Sequence, residues 1–273
     1  MESTTQTYYP TLKQSFGLIG LLLLFSLAGA IPMIIIKGMH LNNGVYEQVA
    51  QLAMYVISFA LVIELAWKKI RKQGLWDPTP KRQMVGMEII AVLLTMTIAT
   101  IIIVDPIIEL IPMPEYFKRL FEELMKPDLT SFLTLVVAAP ILEELLFRGI
   151  ILEGLLKNYS PQKAIIWSAL IFGIAHFNPW QAIGATAAGV LIGWAYVRTN
   201  SLIPGIIIHF FNNLFAFALM AFISGDVEDM TLPNLIGNDV VYLAILAIAL
   251  ATLVVGYRFI EKWSEMKRTK NKQ

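Results

Sequence analysis

Eight apolar runs recur along this 273-residue chain, at 16–36, 45–67, 85–104, 131–157, 162–178, 179–198, 202–224 and 239–260. They constrain its fold more than any other feature. A helix needs about 20 mostly apolar residues to cross a bilayer, where no water satisfies exposed backbone N–H and C=O groups. The runs therefore predict an all-α polytopic membrane protein of about eight transmembrane helices. Composition agrees: 57% of residues are hydrophobic and 15% charged, whereas soluble domains carry about 25% charged residues.

The absence of cysteine excludes a disulfide framework, a thiolate zinc site and a cysteine nucleophile. A net charge of +1 leaves no basic stripe for nucleic acid. Three histidines, His40, His176 and His209, are the only places for imidazole chemistry. Ala28-Gly29-Ala30 resembles a signal-peptide cleavage site, but the apolar run continues to Ile36, which favours a retained first span. The expected organisation is a cytoplasmic N-terminal segment (1–15), a transmembrane helical domain (16–260) and a basic cytoplasmic tail (261–273), disordered from Lys267. Sixteen Lys and Arg residues fall in one set of inter-span segments and four in the other. The positive-inside rule then places both termini in the cytoplasm, of a cell membrane if the source is prokaryotic. Runs five and six meet at Asn178-Pro179 and predict a tight helical hairpin. Between runs three and four, Tyr116, Phe117, Leu120, Phe121 and Leu124 form one helical stripe over 115–126. That pattern suits an interfacial helix or one packed on the bundle.

The informative residues are polar groups inside spans, which are costly there and by default mark function. Span four holds Glu143, Glu144 and Arg148. Glu144 and Arg148 are four apart and can pair, whereas Glu143 points about 100° away and is left free to face a cavity. Span five places Phe172 and His176 four apart, with Gly173 allowing close approach of another helix. Span seven places His209 and Asn213 on one face and Asn212 off it. Glu143, His176, His209 and Asn213 all lie about 16–22 Å along their helices from the cation-bearing side, so they can converge on one polar cavity. A Glu and a His can activate water, and a neutral His and an Asn amide can donate to the oxyanion of a tetrahedral intermediate. Together they suffice for amide hydrolysis. Neither Gly-x-Ser-x-Gly nor His-Glu-x-x-His is present. Ile223-Ser224-Gly225-Asp226 lacks the first glycine of Gly-x-Gly-Asp.

Glu143-Glu144-x-x-x-Arg148, Phe172-x-x-x-His176 and His209-x-x-x-Asn213, in that order within 130–220, resemble the CAAX protease and bacteriocin-processing (CPBP) family, whose eukaryotic branch is the type II CAAX prenyl endopeptidase. The resemblance implies an intramembrane glutamate-dependent endopeptidase. Glu143 and His176 would activate water, His209 and Asn213 would form the oxyanion hole, and Glu144, Arg148 and Phe172 would support the site. The implied partners are the lipid bilayer and a membrane-associated peptide or protein substrate.

Glu143, His176 and His209 could in principle form a His₂Glu zinc site. The helical His pair of a zincin is missing, and no extra carboxylate stands beside each histidine. The expectation is no cofactor and no metal. From other classes, a transporter or channel would use Glu143, Arg148, His176 and His209 as a proton relay, although no internal repeat accompanies them. A non-catalytic regulatory, scaffold or immunity protein is the third reading.

Overall fold

The computed structural model describes residues 7–38, 44–117, 128–222 and 232–270. His40, residues 118–126 of the amphipathic stripe and residues 225–231 of the acidic loop lie outside them. Among the described residues the fold is all-α and 85% helical, and the sole β pairing is an isolated bridge between Arg82 and Ser201. The helices are α1 (Leu12–Gly38), α2 (Gly44–Gln73), α3 (Met87–Glu109), a composite rod α4 running from Leu129 to Asn158, α5 (Pro161–Ile174), α6 (Pro179–Thr199), α7 (Ile203–Phe222), the short α8 (Leu232–Ile236) and α9 (Asp239–Lys270). Each of the eight apolar runs overlaps one of the helices α1 to α7 and α9. Helices α1, α2, α3, α6 and α9 are long and apolar enough to cross a membrane, and α5 and α7 are shorter apolar helices. The chain is an integral membrane protein.

Two boundaries correct the sequence reading. Helix α5 stops at Ile174 rather than 178, which leaves His176 in the connecting turn. Pro179 opens α6, with the Asn178 side chain accepting from the Gln181 N–H as its cap. A residue preceding proline is pushed out of helical geometry, and Phe177 takes a positive φ of 55°. At the other end, α9 continues to Lys270, so the tail is helical through that residue. A helix once nucleated adds a backbone bond per residue, and its last turn carries Lys267, Arg268 and Lys270, which suit the C-terminal dipole.

Helix α6 is the centre of the bundle. One core joins α1, α2, α4, α5 and α6 through residues such as Leu18, Ile70, Ile150, Ile171 and Tyr196. A second joins α3, α6, α7 and α9 through Leu93, Leu191, Ile208 and Ile260. Glycines permit the tight α5–α6 hairpin. A Cβ on Gly173 would sit 2.7 Å from the Ala182 carbonyl oxygen, and one on Gly189 would sit 3.0 Å from the Ala169 Cα.

Polar ties cluster at one end of this bundle. The Tyr8 N–H donates to Asn158 Oδ1 (3.0 Å), and the Tyr9 N–H to Gln73 Oε1 (3.0 Å). Lys81 pairs with Glu153 (2.6 Å) and Arg198 with Glu261 (2.6 Å).

Candidate active site

Helix α4 changes pitch twice around the acidic motif. Residues Phe132–Ala138 and Phe147–Leu152 are π-helical and flank the α-helical Ala139–Leu146 segment that carries Glu143 and Glu144. Such wide turns are uncommon and concentrate at functional sites. The first has a local consequence. The Ala139 N–H bonds back to the Thr134 carbonyl, five residues earlier. Continuing that pattern, the Leu135 carbonyl would need an N–H from residue 140, which is proline and has none. The carbonyl instead accepts from Asn213 Nδ2 at 2.8 Å. A missing backbone donor on α4 thus fixes the amide of a side chain on α7.

The two glutamates separate as their helical offset requires. Glu144 is fully buried, and its Oε1 accepts from Arg148 Nη1 at 2.7 Å. Arg148, 1% exposed, also donates to the Gly189 carbonyl at 3.2 Å, and its guanidinium carbon lies 4.7 Å from the Phe172 ring centroid. Gly205 lets α7 run past this pair, since a Cβ there would meet Glu144 Oε2 at 3.0 Å. Glu144 does more than hold Arg148: the same Oε1 stands 3.2 Å from His209 Nδ1. A carboxylate only accepts, so Nδ1 carries the hydrogen. Nε2 of His209 then faces Glu143, 3.8 Å from its Oε2.

Glu143 is not the unpartnered carboxylate that the sequence suggests. Its Oε1 accepts from the Tyr55 hydroxyl at 2.6 Å, while Oε2 is buried without a hydrogen-bond partner. His176 is fixed in the turn by its own backbone neighbourhood: Nδ1 lies 2.9 Å from the Phe172 carbonyl oxygen. That oxygen is an acceptor, so Nδ1 is the protonated nitrogen, and the Nε2 of a neutral ring keeps its lone pair. The Phe172 ring packs edge-on against both imidazoles, with centroid separations of 5.0 Å to His176 and 5.6 Å to His209.

Two cavities meet at these residues. One of about 620 Å³ lies between α3, α4, α6 and α7 and is lined by Glu143, His176, His209 and Asn213 among largely apolar neighbours. The second, about 270 Å³, reaches the same point from α1 and α2. Tyr55, Glu143, His176 and Gln181 line both. The structure thus brings together all four residues that the motifs singled out, with Glu144, Arg148 and Phe172 packed behind them. It adds Tyr55 and Gln181, which sequence reasoning missed. It also adds Asn212, which lines the larger cavity although helical spacing placed it off the face. The signal for Tyr55 was a hydroxyl within an apolar run, remote from either end. Among the described residues no group of three His, Cys, Asp or Glu side chains is arranged to hold an ion.

Residues 126–215 match the family described as type II CAAX prenyl endopeptidase Rce1-like. A Bacillus subtilis (strain 168) protein named "Putative membrane peptidase YdiL" is 34% identical over 79 residues, 29% of this chain and 32% of that relative's length. The chain therefore matches about a third of that relative. No solved structure matches. The motifs that carry the resemblance, from Glu143 to Asn213, all lie within this matched segment.

Proposed function

We propose that this protein is an intramembrane endopeptidase that hydrolyses a peptide bond of a membrane-associated peptide or protein through water activated by Glu143 and His176. The observation that carries the reading is the state of Glu143. One carboxylate oxygen is held by Tyr55, and the other is buried without a hydrogen-bond partner at the junction of two cavities, 3.8 Å from His209 Nε2. A buried acceptor without a partner is costly, and a water seated there would satisfy it. His176 lines the same cavities and, with Nδ1–H on the Phe172 carbonyl, keeps a lone pair on Nε2 of the neutral ring, so the pair suits proton abstraction from that water.

The tetrahedral oxyanion would face α7. Asn213 Nδ2 has two hydrogens, one committed to Leu135, and the second is free to donate. His209 donates from Nε2 only as imidazolium, because Nδ1–H is committed to Glu144. Two cations, Arg148 and His209, then balance two carboxylates, Glu143 and Glu144. This differs from the neutral imidazole that the sequence reading supposed. The proton taken from water passes to the leaving amine.

The orientation belongs to the same proposal. Lys81, Arg198 and Lys267 lie at the bundle end where Tyr8 meets Asn158, with Lys267 reaching Gln83. That grouping supports a cytoplasmic location for this end and for both termini.

The test uses the full chain in phospholipid vesicles with an internally quenched, membrane-spanning reporter peptide. Wild type should cleave it at a bond that mass spectrometry locates, and Glu143→Gln should not. Equal rates would remove Glu143 from the reaction.

A further inference from the structure

The residue that holds the proposed base lies outside the family-matched segment. Tyr55 is on α2, 88 positions before Glu143, and the match begins at 126. We infer that Tyr55 is a positioning residue for the hydrolysis, which sets the rotation of the Glu143 carboxylate and so decides which of its oxygens receives the proton of the attacking water. The inference rests on the proposed protease reading and extends it to the N-terminal half of the chain.

A glutamate carboxylate at the end of three rotatable side-chain bonds turns freely unless something holds it. The Tyr55 contact, at 2.6 Å, is in the range of charge-assisted O–H···O⁻ bonds, which are about twice as strong as neutral ones. It occupies Oε1. Oε2 is left buried, without a partner, and 3.8 Å from His209 Nε2, on the side where Asn213 also lines the larger cavity. The phenol is itself held by its ring, which packs against Phe59 at a centroid separation of 4.8 Å. Tyr55 and Glu143 both line the smaller cavity as well as the larger. The bond therefore stands where the two spaces adjoin and keeps Oε1 engaged on the α2 side.

The alternative is a tie that merely joins α2 to α4. The two roles part in Tyr55→Phe, which keeps the ring and removes only the hydroxyl. A positioning role predicts that kcat for the quenched membrane-spanning reporter falls about tenfold or more, equivalent to about 1.4 kcal/mol in the barrier, with KM within about twofold because binding contacts survive. A tie predicts wild-type kcat and a lowered unfolding midpoint. A second arm does not depend on turnover. In pH-difference infrared spectra of the full chain in phosphatidylcholine vesicles, the carboxyl band lost in Glu143→Gln should shift in Tyr55→Phe. Wild-type kcat in Tyr55→Phe, or an unshifted Glu143 band, overturns the inference. If Glu143→Gln cleaves like wild type, the protease reading fails at Glu143, and the infrared band alone decides the Tyr55 contact.

Discussion

Helices α4 and α9 each carry one of the eight apolar runs and end on a basic side, at Lys157 and at Lys267, Arg268 and Lys270, yet the bundle uses them in opposite ways. On α4 every residue from Leu146 to Leu155 is buried. On α9 Val240, Leu243, Ile248, Val254 and Val255 are exposed. Hydropathy cannot tell these helices apart, because lipid tails are as apolar as leucine and exert no hydrophobic drive between helices. What differs is the residues that lipid cannot accommodate or exploit. Helix α4 carries Glu143, Glu144, Arg148, Pro140, Gly149 and Gly154. The charges need protein partners, and the small residues let neighbours approach. Pro10 packs on Gly154 so closely that a Cβ there would collide with its ring. The polar and small residues thus select which apolar helix becomes the interior.

The sharpest break of this comparison is at its polar extreme. Glu143→Gln should lower the cleavage rate by about 10²- to 10⁴-fold, the span expected for loss of a general base. The amide keeps the carboxylate's shape and still accepts from Tyr55. The unfolding midpoint in detergent should stay close to wild type, and a large drop would mean that Glu143 serves the fold rather than the reaction.

Glu144→Gln should behave differently although it neighbours Glu143. It removes the anion from a fully buried pair and leaves Arg148 charged among Phe172 and the Gly189 carbonyl. Breaking such a pair costs about 3–5 kcal/mol. His209 loses the charge that faces Nδ1 at the same time. Activity and stability should therefore fall together, read by reporter cleavage and chaotrope unfolding of one preparation. Equal stability of the two glutamine variants would refute the division between them.

The different surroundings of the two glutamates were legible in the sequence because the Glu144–Arg148 pairing is a local helical matter, set by a spacing of four. The apolar runs, the α5–α6 hairpin and the need for Gly173 were legible for the same reason. The rest depended on chain segments far apart. The Tyr55 bond to Glu143 spans 88 positions, and a tyrosine inside an apolar run carries no periodic signature. The π turns of α4 are not encoded by any short spacing. Their effect on Leu135 and Asn213 emerges only when Pro140 and α7 are seen together. The end of α5 was readable from Pro179, but the apolar count ran through it to 178. Because of that turn, His176 sits in a connection that hangs from Phe172, not on a helix face.

The next effect contrasts packed with lipid-facing apolar side chains. Ile150→Ala, at a fully buried site in the α4 core, should cost about 2–5 kcal/mol of unfolding free energy through lost contacts and an unfilled cavity. Its effect should appear in stability before it appears in catalysis, because Ile150 lines neither of the two cavities.

The smallest effect is the same substitution on the other helix. Ile248 on α9 is 66% exposed, so its side chain has few protein atoms to lose. In vesicles, lipid tails replace the missing methyl contacts in both folded and unfolded states, and there is no cavity to leave empty. Ile248→Ala should therefore change stability by no more than about 0.5 kcal/mol, the range of substitutions away from packed or polar features, and leave reporter cleavage unaltered. Paired unfolding curves of Ile150→Ala and Ile248→Ala in the same vesicles measure the difference directly, since the change in chemistry is identical. A loss at Ile248 comparable to that at Ile150 would mean that this face of α9 is covered by protein in the membrane, and the contrast between the two helices would then be one of partner rather than of lipid.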